Sequence, residues 1–478
     1  MKTKTSHLRS GTALTLRARK TITTRREPST SPRGGKKIYS TIAEAAFIFF
    51  LFLSLSQNIL SLVFFWYSEA LSFGILAAKD VVLILSVALF VAHDSRIVRR
   101  ELVIVLILLA IYAAYSLISP EFTLRQFRSG INLHTLFLFG ICLRYYLEAS
   151  RLKSVTIFVL SIVAASGFIE YALLRDESDS FWRWMMFREH YLFQDGGVGV
   201  NLEGGVVPGS WDTYDYFEYV GVLERMASLF ILDPLLFAHA MALPLVYGLV
   251  TRRLALVALF GGAMLLTFSK GGWLVTVLAM LLYAGSNLRS KWLSSGVLVV
   301  LAGSVLLVAM QALGSASSQR HSEGLLGALK QLPSNPLGSG IGTGGNLALR
   351  EVRHFLGERS ADFGAYGAES YVGSQIVQLG VFGLASYLIF GALLWKWKPI
   401  QGDAWGESIR YTALATWAVG FGAETPISLV GTGYLFVLAC MVRRREEPPL
   451  THSRCASRNV RERKRQPKSQ RVLPNKRV

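Results

Sequence analysis

The sequence predicts an all-α fold: a polytopic membrane bundle of about twelve transmembrane helices with two long outer loops. Three observations lead there. First, 52% of the 478 residues are hydrophobic and 17% are charged, where a soluble domain carries about 25% charged residues. Second, the apolar residues gather in successive runs close to the ~20 residues that a helix needs to cross ~30 Å of hydrocarbon. A buried soluble helix accounts for one such run, not for about a dozen in series. Third, the formal net charge of +19 sits at the ends of the chain. Residues 1–40 hold eleven Lys/Arg and one Glu, and residues 443–478 hold thirteen Lys/Arg and three Glu, which leaves the core close to neutral.

In chain order, residues 1–40 read as a disordered basic tail. The transmembrane domain, 41–442, follows with predicted spans at 42–64, 70–92, 102–118, 131–147, 154–173, 229–250, 254–268, 272–285, 292–313, 371–394, 411–423 and 427–442. Residues 443–478 are a second disordered basic tail. A nucleic-acid-binding protein would spread its positive charge over a folded surface. These tails instead fix topology and meet anionic lipid head groups, and no nucleic-acid partner is expected. The first apolar run is too long for a signal-peptide core and no cleavage site follows it, so no cleaved signal is expected. Cys142, Cys440 and Cys455 have neither metal-ligand spacing nor a disulfide partner.

Orientation follows from the Lys/Arg bias of short loops. With the N-terminal tail inside, the cytoplasmic loops are 93–101 (Arg96, Arg99, Arg100), 148–153 (Arg151, Lys153), 251–253 (Arg252, Arg253), 286–291 (Arg289, Lys291) and 395–410 (Lys396, Lys398, Arg410). All are basic, and both termini are then cytoplasmic. The two long outer loops are 174–228, acidic and aromatic, and 314–370, rich in Gly, Ser and Arg. Loops of that length are usually functional or disordered. The run GSGIGTGG (338–345) could cradle a phosphate through backbone N–H groups, although it matches no nucleotide-binding fingerprint. The chain contains no ATP-binding module.

Ionisable groups inside a membrane are costly, which makes each a functional candidate. Lys79–Asp80 lies within the second span and reads first as a self-neutralising pair. Arg125 and Arg128, three residues apart, share one helix face at an outer boundary. They serve either as interfacial anchors or as a phosphate clamp, since guanidinium pairs bidentately with phosphate. Arg225 precedes the sixth span, which Asp233–Pro234 interrupts. Lys270, in TFSKGGW, is a lone lysine at an outer turn, explained by snorkelling or by a ligand phosphate. Glu369 precedes the tenth span and reads either as a general base with a raised pKa or as a carboxylate favoured by a helix N-terminus. Glu424 is a weaker candidate of the same kind. His239, His321 and His354 are scattered and form no metal-binding pattern.

The order of four segments resembles the O-antigen ligase/O-antigen polymerase (Wzy-like) superfamily of bacterial glycan assembly. They are RMASLFILDPLLFAHAMALPL (225–245), LTFSKGGWLVTVLAMLL (266–282), NPLGSGIGTG (335–344) and ESYVGSQIVQLGVFGLASYLIF (369–390). The resemblance implies a bundle related to GT-C-type glycosyltransferases in the bacterial inner membrane. It implies transfer of a glycan from an undecaprenyl-diphosphate carrier on the outer face, either to another carrier-linked glycan by a polymerase or to lipid A core or protein by a ligase. A transporter of lipid-linked glycan is the reading from another class, but no internal repeat supports it. By the same resemblance Arg225 and Lys270, with Arg125 and Arg128, bind the diphosphate, and Glu369 is the catalytic base. No metal, nucleotide sugar or other cofactor is implied. The expected partners are the carrier-linked donor, a glycan acceptor, membrane lipids and chain-length regulators or other polysaccharide-assembly proteins. Lys270 stands where the family usually has Arg, Glu369 where ligases usually have His, and Ser370 where Asn is common. The Glu at 369 favours the polymerase branch.

Overall fold

The computed structural model describes residues 33–93, 100–118, 131–174, 181, 184–185, 212–213, 223–287, 316–341, 370–400, 402–423 and 427–442. These residues are helical apart from loops and one antiparallel strand pair, β1 (Asp212–Thr213) with β2 (Leu223–Glu224). The helices are α1 (Arg33–Phe65), α2 (Glu69–His93), α3 (Arg100–Ile118), α4 (Asn132–Leu143), α5 (Lys153–Ile169), α6 (Pro234–Thr251), α7 (Leu254–Leu266), α8 (Lys270–Asn287), α9 (Ala316–Gln331), α10 (Tyr371–Leu379), α11 (Val381–Lys396), α12 (Ala404–Val419) and α13 (Leu429–Met441).

Three stretches are long and apolar enough to cross a membrane: Ile38–Phe65, Lys153–Leu174 and Pro234–Thr251. Shorter apolar helices accompany them, including α4, α7 and α11. This is a membrane protein by the character of its helices. Every predicted span except 292–313 overlaps helix, 371–394 covering two, and 292–313 lies outside the described residues. The twelve residues of α4 rise only ~18 Å. Ten of them are buried, so neighbouring helices rather than lipid surround it.

The last helix is central to the packing. α13 lies against α1, α4, α6 and α12. A Cβ at Gly140 would come within 2.7 Å of the Cys440 Cβ, so α4 and α13 touch nearly backbone to backbone. α13 also repairs α6. Pro244 lies inside α6 and has no N–H for the carbonyl of Ala240, four residues earlier. The Tyr434 hydroxyl of α13 donates to that carbonyl instead, at 2.8 Å. Lys79 and Asp80 form the pair expected from the sequence, 3.8 Å apart.

Basic loop residues collect at one end. Arg151 donates to Ser40 at 3.4 Å. Lys153 and Arg253 lie 6.0 and 5.7 Å from the ring centre of Tyr247. Tyr247 packs edge-on against Trp405, whose indole N–H donates to the Ala149 carbonyl. The Ala149 amide in turn donates to the carbonyl of Met441. The start of α1 and the end of α13 therefore lie at this same end.

Three expectations need correction. The span 371–394 is not one helix. Tyr371 and Tyr387 have ring centres 5.7 Å apart, where sixteen residues of continuous helix would separate them by ~24 Å. The chain folds back at Gly380, whose φ is +57°. The Val381 amide donates to the Pro336 carbonyl at 2.9 Å, and a Cβ on Gly380 would collide with that carbonyl oxygen. Only α11 continues to the basic end; α10 is a buried arm folded back against it. Next, the loop 395–410 is shorter than expected, because α12 starts at Ala404. Asp403 caps it by accepting from the Gly406 amide, and the polar residues that suggested a loop are satisfied within the fold. Arg410 is buried, donates to the Trp395 carbonyl at 2.8 Å and faces the Trp395 and Tyr411 rings. Finally, the segment 314–370, expected to be a loop, contains a helix, α9, packed on α10.

The hairpin predicts a test. Gly380→Ala meets both a positive φ and the Pro336 oxygen, and should destabilise the protein by more than ~1 kcal/mol. Thermal unfolding of the detergent-solubilised protein measures the loss; an unchanged transition would mean that the chain does not turn there.

Candidate functional site

At the end opposite the basic loops, the segment 225–233 runs without regular structure among α1, α5 and α7 before α6 begins. Inside a bilayer each unpaired backbone group costs several kcal/mol, so its partners matter. The Met226 amide donates to the Leu266 carbonyl at the end of α7, at 2.9 Å. The Ala227 amide donates to Glu170 Oε2 at 3.1 Å. Asn58 of α1 donates to the Ile231 carbonyl at 2.6 Å. The Ser228 hydroxyl lies 2.9 Å from that of Ser166 and 3.1 Å from the Val163 carbonyl of α5. Asp233 then caps α6, accepting from the amides of Leu235 and Leu236 at 2.7 and 2.9 Å, with Pro234 in the first turn. The irregular approach expected from Asp233–Pro234 is therefore a strap held by three helices. Arg225, at its start, is half-buried, and its charge acts attractively on the Asp233 carboxylate.

Lys270 opens α8 and is exposed. Its turn is anchored from below. A Cβ on Gly272 would lie 2.8 Å from the Ala238 Cβ, and one on Gly271 would lie 3.0 Å from His239 Nε2. Because α7 ends at the strap and α8 begins beside α6, the Arg225 strap and the Lys270 turn are neighbours. Four non-glycine residues among those described have positive φ, and three lie in these two segments: Ser228 (66°), Leu232 (56°) and Phe268 (47°). Such backbone costs on the order of 1–3 kcal/mol per residue and concentrates at functional sites.

A second junction lies at the same end. Ser370 caps α10, accepting from the Gly373 amide at 3.0 Å and donating to the Phe421 carbonyl at 2.7 Å. The Val372 amide donates to the Gly420 carbonyl beyond α12. The hairpin thus carries the start of α10 down beside Tyr387, about 10 Å below the tip at Gly380. Gly431, at the start of α13, approaches the Leu236 carbonyl and brings that N-terminus alongside α6. The N-termini of α6, α8, α10 and α13 all lie at this end.

The glycine-rich loop does something other than expected. The Ser339 and Gly340 amides donate to the Val377 and Gln378 carbonyls of α10 at 2.7 and 3.1 Å, and the Gly338 amide donates to Asn335. Gly338 has φ of +79°, and a Cβ there would lie 2.6 Å from the Gln378 backbone. These amides are committed to the helix break, so residues 338–340 clasp the hairpin rather than cradle a phosphate. Residues 342–345 lie outside the described residues.

Arg225 and Lys270 are thus brought to one end of the bundle. Glu369, Arg125, Arg128, Glu424 and His354 lie outside the described residues, as does the side chain of His321. Ile131, three residues after Arg128, packs with Tyr112, Ile341 and Leu379 against the clasp. Sequence reasoning missed Glu170. It is fully buried, it stands at the start of a π-helical turn (Glu170–Leu174) continuing α5, and its partner is 57 residues away. A carboxylate inside an apolar run was the available signal, and π-turns often mark functional positions.

Scans against protein-family models and the curated proteins find no match to this chain.

Glu170→Ala should leave the Ala227 amide without its acceptor and cost about 1–3 kcal/mol. Glu170→Gln keeps an acceptor oxygen and should lose less than half as much. Thermal unfolding of both variants checks this, and equal losses would show that the charge, not the hydrogen bond, matters there.

Proposed function

We propose that the protein is a membrane glycosyltransferase that polymerises glycan repeat units carried on undecaprenyl diphosphate, at the outer face of a bacterial inner membrane. One observation carries the reading: the Arg225 strap, the Lys270 turn and the α10 N-terminus that follows Glu369 converge at one end, while the basic loops lie at the other. Basic loops belong on the cytoplasmic side, so the converging segments face outward, where carrier-linked glycans are presented. Both tails then lie in the cytoplasm, and the bundle crosses about twelve times in the manner of GT-C enzymes.

The chemistry suits the residues. The acceptor hydroxyl attacks the anomeric carbon of the donor sugar. The new C–O bond forms as the bond from that carbon to the diphosphate oxygen breaks, and the lipid diphosphate leaves with the bonding pair. Glu369 takes the hydroxyl proton. Arg225 and Lys270, with Arg125 and Arg128, stabilise charge on the departing diphosphate, and the partial positive ends of the gathered helices add to that field. Strained backbone under both cations fits a site held in a set geometry.

Glu369→Gln and Arg225→Ala should each abolish chain extension, at least ~100-fold in polymer yield by analogy with loss of one charge-stabilising donor, while the protein remains inserted and abundant. Gel profiles of cell-surface glycan read the outcome. Normal long-chain polymer in both variants would sink the proposal, and a capped acceptor with unchanged polymer length would mark a ligase.

A further inference from the structure

Two cations converge on one ring at the basic end. Lys153 Nζ lies 6.0 Å and Arg253 Cζ 5.7 Å from the ring centre of Tyr247. The three come from different elements: Lys153 opens α5, Arg253 precedes α7 and Tyr247 stands near the end of α6. An aromatic face attracts a cation but does not neutralise it. Neither Lys153 nor Arg253 forms an ion pair among the described residues, where the pair present is Lys79–Asp80.

Both cations also stand at the unfavourable end of a helix, since a helix N-terminus carries partial positive charge. Asp233, Ser370, Asp403 and Ser428 cap α6, α10, α12 and α13 with side-chain oxygens. α5 and α7 have no such cap and no acidic residue in the first turn. Tyr247 adds a further unmet donor. It is 3% exposed, yet its hydroxyl has no hydrogen-bond partner among the described residues. That hydroxyl is not one of the enclosed unpartnered atoms, so it opens to the surface. A polar group on so buried a side chain calls for a partner. The surroundings say what kind. α5 opens a stretch long and apolar enough to cross a membrane, and Phe158 and Ile162 on it are exposed. Leu254, next to Arg253, is exposed as well. The cations therefore sit where an apolar helix surface begins, at the level of lipid head groups.

We propose that Lys153, Arg253 and the Tyr247 hydroxyl bind the phosphate of an anionic phospholipid in the leaflet at the basic end, with its acyl chains along α5 and α7. Basic pockets between transmembrane helices hold such head groups. All three side chains can donate, and a phosphate oxygen accepts. The phosphate supplies the negative charge that neither helix start provides for itself, and it ties the starts of α5 and α7 to the end of α6.

The test titrates the full-length protein in detergent with dioleoylphosphatidylglycerol and counts bound lipid by native mass spectrometry. Dioleoylphosphatidylcholine and inorganic phosphate are the comparison probes. Lys153→Gln and Arg253→Gln should each weaken phosphatidylglycerol binding about fivefold, the loss expected for one cation at a membrane surface. Tyr247→Phe removes only the hydroxyl and should weaken binding roughly threefold. Arg252→Gln removes the same charge from an exposed neighbour. It should stay within about twofold of the parent, because screening limits a charge that does not touch the ligand. Unchanged binding in Lys153→Gln and Arg253→Gln, or equal weakening in Arg252→Gln, overturns the proposal. Thermal unfolding in nanodiscs gives an independent readout. The parent should unfold at a higher temperature in phosphatidylglycerol than in phosphatidylcholine, and Lys153→Gln should narrow that difference by about 1–2 °C. An undiminished difference counts against the site. Stabilisation by inorganic phosphate as large as that by phosphatidylglycerol would assign the site to a soluble anion and overturn the lipid reading.

Discussion

Buried backbone that leaves the helix has no water to bond, and the strap at 225–233 is where this chain meets that constraint. Nearly everything at the candidate site follows from how it is met. The helices that supply partners — α1 through Asn58, α5 through Glu170 and Ser166, α7 through Leu266 — must converge on the strap. That convergence sets where α7 ends and where the Lys270 turn begins. At that turn a Cβ on Gly271 would lie 3.0 Å from His239 Nε2, a tight approach. Arg225 thus sits on irregular backbone that is nonetheless fixed by its neighbours, and a fixed cation stabilises developing charge without reorganising.

The hairpin at Gly380 obeys the same rule. Where α10 stops, its last carbonyls would be left without donors. Residues 339–340 provide them, and the Pro336 carbonyl takes the first amide of α11. The loop and the break are complementary halves of one joint. The joint lowers Ser370 to the level of Phe421, and with it the point where the chain arrives from Glu369.

The positions of the helices were legible because hydrophobic length is a coarse property that membrane physics enforces. The shared end of the basic loops was legible for the same reason. The break inside 371–394 was not, since the apolar run continues past it with several glycines, and a positive φ at Gly380 separates one helix from two. The first turns of α12 were hidden because Ser408 and Arg410 look solvated, while their partners lie at Ala404 and Trp395. Asp233–Pro234 signalled an irregular approach correctly, since cap and proline chemistry are local. Glu170 was beyond reach because it acquires meaning from a segment dozens of residues away. A carboxylate in an apolar run marks itself as unusual, but the amide it serves cannot be read from its own neighbourhood.

The central place of α13 has a consequence for biosynthesis. This helix leaves the ribosome after every other described helix, yet α1, α4 and α6 all pack against it, and the Ala240 carbonyl freed by Pro244 waits for Tyr434. The earlier helices can insert and pair with one another, but the place that α13 takes among α1, α4 and α6 stays unfilled until translation has passed Met441. Between those moments the half-built bundle exposes the groove meant for α13, along with the small-residue surface at Gly140. A ribosome stalled before that point would leave a nascent chain that is inserted but open, and such a chain is a natural target for membrane quality control.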